Sequence, residues 1–365
     1  MGGKQIAFFL GSSSPGGFYS FFQELYAPEE GWYAYILKGG PGTGKSALLS
    51  YIADTLEERG LYTERIHCAA DPQSLDAVRF PELRVCVADG TSPHTIEPRF
   101  PGAAEELVNL GAFWDGTLLR ENSAAIISLT QKNVAGHRRC QRFLSAAASL
   151  KADVCRLAAA HVDEQKISRY AARVAAKEFP PPNGKVGLET HRFLSAVTPQ
   201  GILPQYETVE ALCGRVYVIE DPLGAVSRLL LEQQRRYALG NGLDIISCPC
   251  PLAPEAAPEH LFLPQLGLCF FTANRYHPAR FPDTDYLKVV RAGRFLDAAG
   301  LRGCRARLSF TRRAQRELVE EAVLALGEAK EQHDRLEGYY KNAMDFRQKE
   351  PLAKEIAEAI WKFRH

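Results

Sequence analysis

No apolar run in this chain approaches the roughly 20 residues that a membrane-spanning helix needs. The apolar stretch at residues 6–10 is likewise too short for the core of a signal peptide. Neither sign of charge is in excess, because 44 Lys and Arg face 43 Asp and Glu, and this removes the electrostatic footprint of sequence-independent nucleic-acid binding. Cysteine pairs at metal-site spacing are also lacking. The nine cysteines are scattered, several inside apolar strand-like runs, and the one close pair, Cys248 and Cys250, has no second pair to complete a zinc site. Reduced thiols and a cytoplasmic location are therefore expected. A chain of 365 residues exceeds one ordinary core and predicts two or three domains.

What is present is a glycine-rich stretch of high specificity. Residues 39–46 read Gly39, Gly40, Pro41, Gly42, Thr43, Gly44, Lys45, Ser46, which is the G-x-x-x-x-G-K-[ST] spacing, preceded by an apolar run at 33–37 and followed by a helical pattern at 46–60. Each residue type has a physical task. The glycines let successive backbone N–H groups, through Ala47, turn inward around phosphate oxygens. Lys45 would neutralise the β and γ phosphates, the Ser46 hydroxyl would sit on Mg²⁺, and the positive end of the helix would face the same phosphates.

In chain order, residues 6–10 predict a strand, 11–17 a turn, 18–26 a helix with an aromatic face, 61–69 a strand and 71–76 a polar turn. Residues 83–88 form an apolar run, of the kind buried on both faces of a parallel sheet, that delivers Asp89 at its end. Residues 1–102 are thus expected to form a P-loop α/β unit. Residues 103–180 are alanine-rich, charged and helical in period, predicting a helical hairpin attached to that unit, and 181–184 are a Pro/Gly-type linker.

The remainder repeats the beginning. Residues 192–201 echo 8–17, residues 216–230 align with 35–49 without a gap, and 263–271 align with 80–88. His277 and residues 280–282 then follow as His94 and residues 99–101 do, and a helical tail closes each half. The expected architecture is two tandem P-loop NTPase-like units with mainly parallel sheets, the second at 185–300 with helices at 301–365. In that gapless alignment Gly39 and Gly40 meet Glu220 and Asp221, Gly44 meets Ala225, Lys45 meets Val226, Ser46 meets Ser227 and Asp89 meets Thr272. Asp71 and Asp76 fall opposite Pro251 and Ala256. With its lysine and glycines lost and carboxylates facing the phosphate position, the second unit is expected to be nucleotide-incompetent.

The comparison sorts the candidate residues. Asp89, at the end of a buried strand, is the expected Mg²⁺ carboxylate beside Ser46. Asp71 and Asp76 are candidates for a general base, since phosphoryl transfer needs a group that positions the nucleophile, although turn chemistry accounts for them equally well. His94 reads as structural, because His277 persists in the degenerate copy. The basic cluster at 137–142 reads as a solvated helix face, and Trp114 and Tyr340 carry no specific signal.

The chain resembles a family of tandem P-loop ATP-binding proteins of about this length. The resemblance is carried by residues 16–21, 37–46, His67, Cys68, Asp71, Pro72, 74–76, 81–83, 89–91, Pro93 and His94. It implies ATP binding and hydrolysis as a class but no particular substrate. In that family the second loop can also look intact, whereas here it does not. The expected activity is Mg²⁺-dependent ATP hydrolysis at the first loop, with Lys45, Asp89, Asp71 and Asp76 as catalytic candidates. Alternatives are a small-molecule or nucleotide kinase and an ATP-dependent regulatory or scaffold protein whose helical extensions contact a partner. No guanine-specific N/T-K-x-D element is found, which leans the nucleotide toward ATP.

Overall fold

A computed structural model describes residues 5–280 and 287–364. The first unit runs β1 (Gln5–Phe8), β2 (Gly11–Ser14), β3 (Gly17–Ser20), β4 (Tyr33–Lys38), α1 (Lys45–Glu58), β5 (Thr63–His67), β6 (Leu75–Phe80), β7 (Val85–Asp89) and β8 (Glu105–Asn109). Then come α2 (Gly116–Glu121), α3 (Ser123–Ala159) and α4 (Glu164–Glu178). The second unit repeats this order as β9 (Glu189–His191), β10 (Ser195–Thr198), β11 (Gly201–Pro204), α5 (Tyr206–Leu212), β12 (Arg215–Glu220), α6 (Ala225–Gly240), β13 (Ile245–Cys248), β14 (His260–Leu263), β15 (Leu268–Ala273) and β16 (Leu287–Arg291). It ends with α7 (Ala298–Gly303), α8 (Arg305–Ala343) and α9 (Lys349–Lys362).

Each unit builds a six-stranded sheet in the same order, β1-β5-β6-β7-β4-β8 and β9-β13-β14-β15-β12-β16. The sheets are mostly parallel, as expected, but mixed, because β6 and β14 each run antiparallel to both neighbours. Along β4 the side chains alternate: Tyr35 and Leu37 meet the apolar face of α1 (Leu48, Leu49, Ile52, Leu56), and Ala34 and Ile36 point the other way. The second faces of both sheets share one core, in which Ile36 and Ala88 join Val218 and Phe271 around Phe8, Phe9 and Phe193. Phe9 and Phe193 exchange backbone hydrogen bonds of 2.9 and 2.8 Å, so the two repeats meet through equivalent residues about a pseudo-twofold axis.

The helical extensions are exchanged between the units. α3 and α8 pack antiparallel, with Arg139 on Glu328 at 2.6 Å and Arg307 on Asp153 at 2.7 Å, and each helix ends at the opposite unit. α9 thereby covers α1 of the first unit, and α4 covers α6 of the second. The backbone bridges Trp114–Met344 and Val162–Leu296 mark the two crossovers at equivalent places. The long helices thus pair with each other. No helix among the described residues is long and apolar enough to cross a membrane.

Four sequence expectations change. Residues 11–14 and 17–20 form the β2–β3 hairpin, closed by Ser14 Oγ donating to Gly17 O at 2.8 Å, and only a 3₁₀ turn at Phe22–Glu24 follows, so residues 18–26 are not a helix. Phe18 and Tyr19 have high strand propensity, and Gly17 at φ 116° makes the turn that precedes them. Asp76 lies in β6 rather than in a polar turn, and β8 extends the first sheet beyond residue 102. The repeat is not gapless. β4 corresponds to β12 through matching pairs with β7 and β15, yet residues 39–44 separate β4 from α1 and only 221–224 separate β12 from α6. The second loop is two residues shorter (six against four), so Lys45 and Gly44 match Ala225 and Gly224 rather than Val226 and Ala225. The echo expected at residues 281 and 282 lies outside the described residues.

Candidate functional site

The glycine loop sits between the end of β4 and α1, and its geometry follows from its residue types. Gly42 and Gly44 hold φ of 71° and 87°, a region that strains residues bearing a Cβ. Gly44 closes the loop as the N-cap of α1 and presents Lys45 as the first helical residue. Lys45 is 9% exposed and curls back over the loop, with Nζ donating to Gly39 O at 3.0 Å and Gly40 O at 2.8 Å and lying 3.5 Å from Asp89 Oδ2. Thr43 Oγ1 donates to Gly40 O at 2.8 Å and braces the turn. Ser46 Oγ accepts from Leu75 N at 2.9 Å, tying the start of α1 to the start of β6. Pro41 lies in the turn between, and Ala47 is exposed on the first turn of α1.

Asp89 ends β7, where Thr91 donates to its Oδ1 from N at 2.9 Å and from Oγ1 at 2.6 Å, leaving Oδ2 toward Lys45. Asp76 is one step beyond the Ala77–Ala88 pair of β6 and β7, which sets it opposite Asp89. Burial pushes the Asp76 carboxyl up to about 6; Asp89 acts in the same direction, against His94, Cys68 and Lys45. His94 Nε2 lies 4.0 Å from Asp76 Oδ1, and its ring stacks on Phe22 at 4.3 Å with neither nitrogen hydrogen-bonded among the described residues. The Cys68 thiol contacts Asp76 and is pushed well up by burial.

The structure therefore brings Lys45, Ser46, Asp76 and Asp89 together, with Cys68 and His94 behind them. Asp71 is engaged elsewhere: its Oδ2 accepts from Ser74 Oγ at 2.8 Å, and Oδ1 lies 3.9 Å from Lys330 of α8.

One contribution was illegible along the chain. The exchanged helices cover the loop, so that a Cβ on Gly40 would meet the Tyr340 ring at 2.4 Å and one on Gly42 would meet Glu337 O at 2.8 Å. Lys349 lies 3.0 Å from the Cβ position of Gly44, and with Ala47, Leu48, Tyr51, Glu350 and Ala353 it lines a 290 Å³ groove between α1 and α9. A larger groove of 520 Å³ lies at the crossover, around Phe113 and Met344, and contains none of the loop residues.

The second loop holds a different arrangement. Asp221, 1% exposed, turns its carboxylate into the loop: Oδ1 accepts from Leu223 N at 3.1 Å and Gly224 N at 3.0 Å, and Oδ2 from Val226 N at 2.9 Å and Ser227 N at 2.8 Å. Four backbone N–H groups at a helix start, the kind that would cradle a phosphate, are thus taken by the chain's own carboxylate. The strand register also replaces the counterpart of Asp76. Ala77 pairs with Ala88 as His260 pairs with Phe271, so Asp76 matches Glu259 and not Ala256.

No family model, curated protein or solved structure matches the chain.

Proposed function

We propose that the first glycine loop binds ATP with Mg²⁺ and that the protein hydrolyses it there, as the resemblance to tandem P-loop ATP-binding proteins implies. The observation that carries this reading is the convergence of Lys45, Ser46, Asp76 and Asp89 at the mouth of the one loop whose interior is not filled by a side-chain carboxylate. The donor set fits the group: the Ser46 hydroxyl and the Asp89 carboxylate are hard oxygen ligands suited to Mg²⁺, and a flexible ammonium stands beside them for the phosphates. Bound Mg²⁺ would neutralise charge on the transferring phosphoryl group.

Residues 39–47 would present their backbone N–H groups to the phosphates. Lys45 would exchange the carbonyls of Gly39 and Gly40 for phosphate oxygens. Asp76, buried and basic enough to accept a proton near neutrality, would orient the attacking water. Asp71 is a weaker candidate for this task because Ser74 and Lys330 occupy its carboxylate.

A regulatory reading has its own support. Tyr340, Glu337 and Lys349 reach the loop from helices rooted in the second unit, so a change at the loop would bear directly on the α3–α8 pair. Turnover of ATP, with and without candidate phosphoryl acceptors and beside Lys45→Ala, tests these readings. Phosphate release without an acceptor is expected. Acceptor-dependent ADP formation would instead indicate a kinase, tight binding with negligible turnover a switch, and unchanged affinity in Lys45→Ala would overturn the site.

A further inference from the structure

The second unit keeps a buried polar cluster where the first unit keeps its acid. Through the register of β14 and β15, Glu259 and His277 stand in the places of Asp76 and His94, while His260 replaces Ala77 and Thr272 replaces Asp89. One carboxylate oxygen and one nitrogen from each histidine lie within 4.8 Å of one another.

The hydrogen bonds around these three residues divide each of them in two. Glu259 Oε1 accepts from Asn274 Nδ2 at 2.7 Å and lies 3.7 Å from Lys151 Nζ, but Oε2 has no hydrogen-bond partner among the described residues. His277 Nε2 is held by Ser195 Oγ at 2.7 Å, while its Nδ1, also unpartnered, lies 3.8 Å from Glu259 Oε2. His260 packs edge-on to His277 at 4.8 Å with neither nitrogen hydrogen-bonded among the described residues. Both histidines are 1% exposed. A buried polar atom left without a partner forfeits its hydration uncompensated, so several such atoms facing one another call for a common ligand. Glu259 disfavours an anion there. Two imidazoles with one carboxylate, each oriented by an outer hydrogen bond or by ring packing, suit a first-row divalent transition ion better than Mg²⁺ or Ca²⁺.

We propose that Glu259, His260 and His277 form a binding site for a divalent transition metal that clamps the start of β14 to the turn following β15. This site is independent of nucleotide binding at Lys45. Zinc is the probe: the full chain is equilibrated with Zn²⁺, desalted and assayed for bound metal, and then loaded with Co²⁺ for its visible absorption. The expected result is one zinc per chain and a Co²⁺ ligand-field spectrum, with affinity lowered at least about tenfold in His260→Gln and Glu259→Gln and more modestly in Ser195→Ala. Asp89→Asn and Cys304→Ser are expected to retain the metal. Wild-type protein that loses all its zinc on desalting overturns the proposal without recourse to any variant. Zinc retained undiminished by both His260→Gln and Glu259→Gln, or lost in Asp89→Asn, overturns it as well.

Discussion

The two strand-to-helix loops differ in what their polar groups bond to. In the second unit the chain supplies it, because Asp221 caps four N–H groups of a loop shortened by two residues. In the first unit no side-chain carboxylate among the described residues accepts from the loop N–H groups, and Lys45 rests on the carbonyls of Gly39 and Gly40. The second loop is thus complete as folded, whereas the first keeps its polar groups exchangeable. A second asymmetry lies at the contact between the units. Glu64, Arg79 and Arg192 form a buried ion cluster, with Arg192 Nε on Glu64 Oε1 at 2.5 Å, and their counterparts across the pseudo-twofold are Ile246, Phe262 and Phe8. The same position in the fold is filled once by charge and once by apolar packing, with Phe8 edge-on to Phe262 at 5.9 Å.

That pair of solutions sets the largest expected effect. Glu64→Gln leaves two guanidiniums without their carboxylate and should cost about 3–5 kcal/mol of stability, whereas combining Glu64→Ile, Arg79→Phe and Arg192→Phe should be neutral or stabilising. Burial alone would raise the Glu64 carboxyl, but Arg192 and Arg79 outweigh it and hold the group at about 2. A depressed carboxyl contributes stability above its unfolded value near 4.5 that is lost as pH falls toward 2, so the gap between wild type and Glu64→Gln should close over that window. Denaturant melts at pH 7 and pH 3 measure both effects, and a gap that stays constant would show that the ion cluster is not the source.

Next in size is the loop itself. Lys45→Ala should lower ATP turnover by roughly 10²–10³-fold, the loss typical of removing one preorganised charge from a reacting group. Steady-state phosphate release is the readout. Equal turnover in the two proteins would erase the functional distinction drawn between the units.

The repeat and the order strand, loop, helix, strand ending in Asp89 were legible because each rests on local patterns: alternation, glycine and spacing. The loss of two residues before α6 was not legible, since a gapless match already paired apolar with apolar residues, and only the sheet register separates Val226 from Ala225 as the counterpart of Lys45. The counterpart of Asp76 was misplaced for the same reason, the insertion in the β13–β14 connection being invisible without pairing. The hairpin at residues 11–20 was read as turn and helix because a short aromatic run satisfies both periods. The exchange of helices, and with it Tyr340, Glu337 and Lys349 over the loop, depends on contacts across some 300 residues of chain that no local pattern encodes.

A smaller effect tests the self-capped loop. Asp221→Asn keeps the shape but sets an amide NH2, which cannot accept, against two of the four backbone N–H groups, and a loss of about 1–3 kcal/mol is expected. ATP turnover should not change, because Ala225 gives this loop no lysine. A parallel loss of turnover at temperatures where the variant remains folded would show that the second loop takes part in the reaction.

The last prediction concerns Asp76 and moves a pH limb more than a magnitude. Folding raises its carboxyl to about 6 from an ordinary value near 3.8, so its protonated form is favoured in the folded chain. The resulting stability is fully present below about pH 4 and is lost as pH rises through 6; Asp76→Asn, which cannot ionise, should therefore gain on wild type across that window. The proposed reaction runs the opposite way, since a water-orienting base must be ionised and turnover should rise with pH through about 6. Measured together, thermal melts and turnover from pH 4 to 8 separate the two roles. A melt difference that follows this course with an unaltered turnover profile in Asp76→Asn would make Asp76 a buried structural acid and would leave Asp89 as the working carboxylate of the first unit.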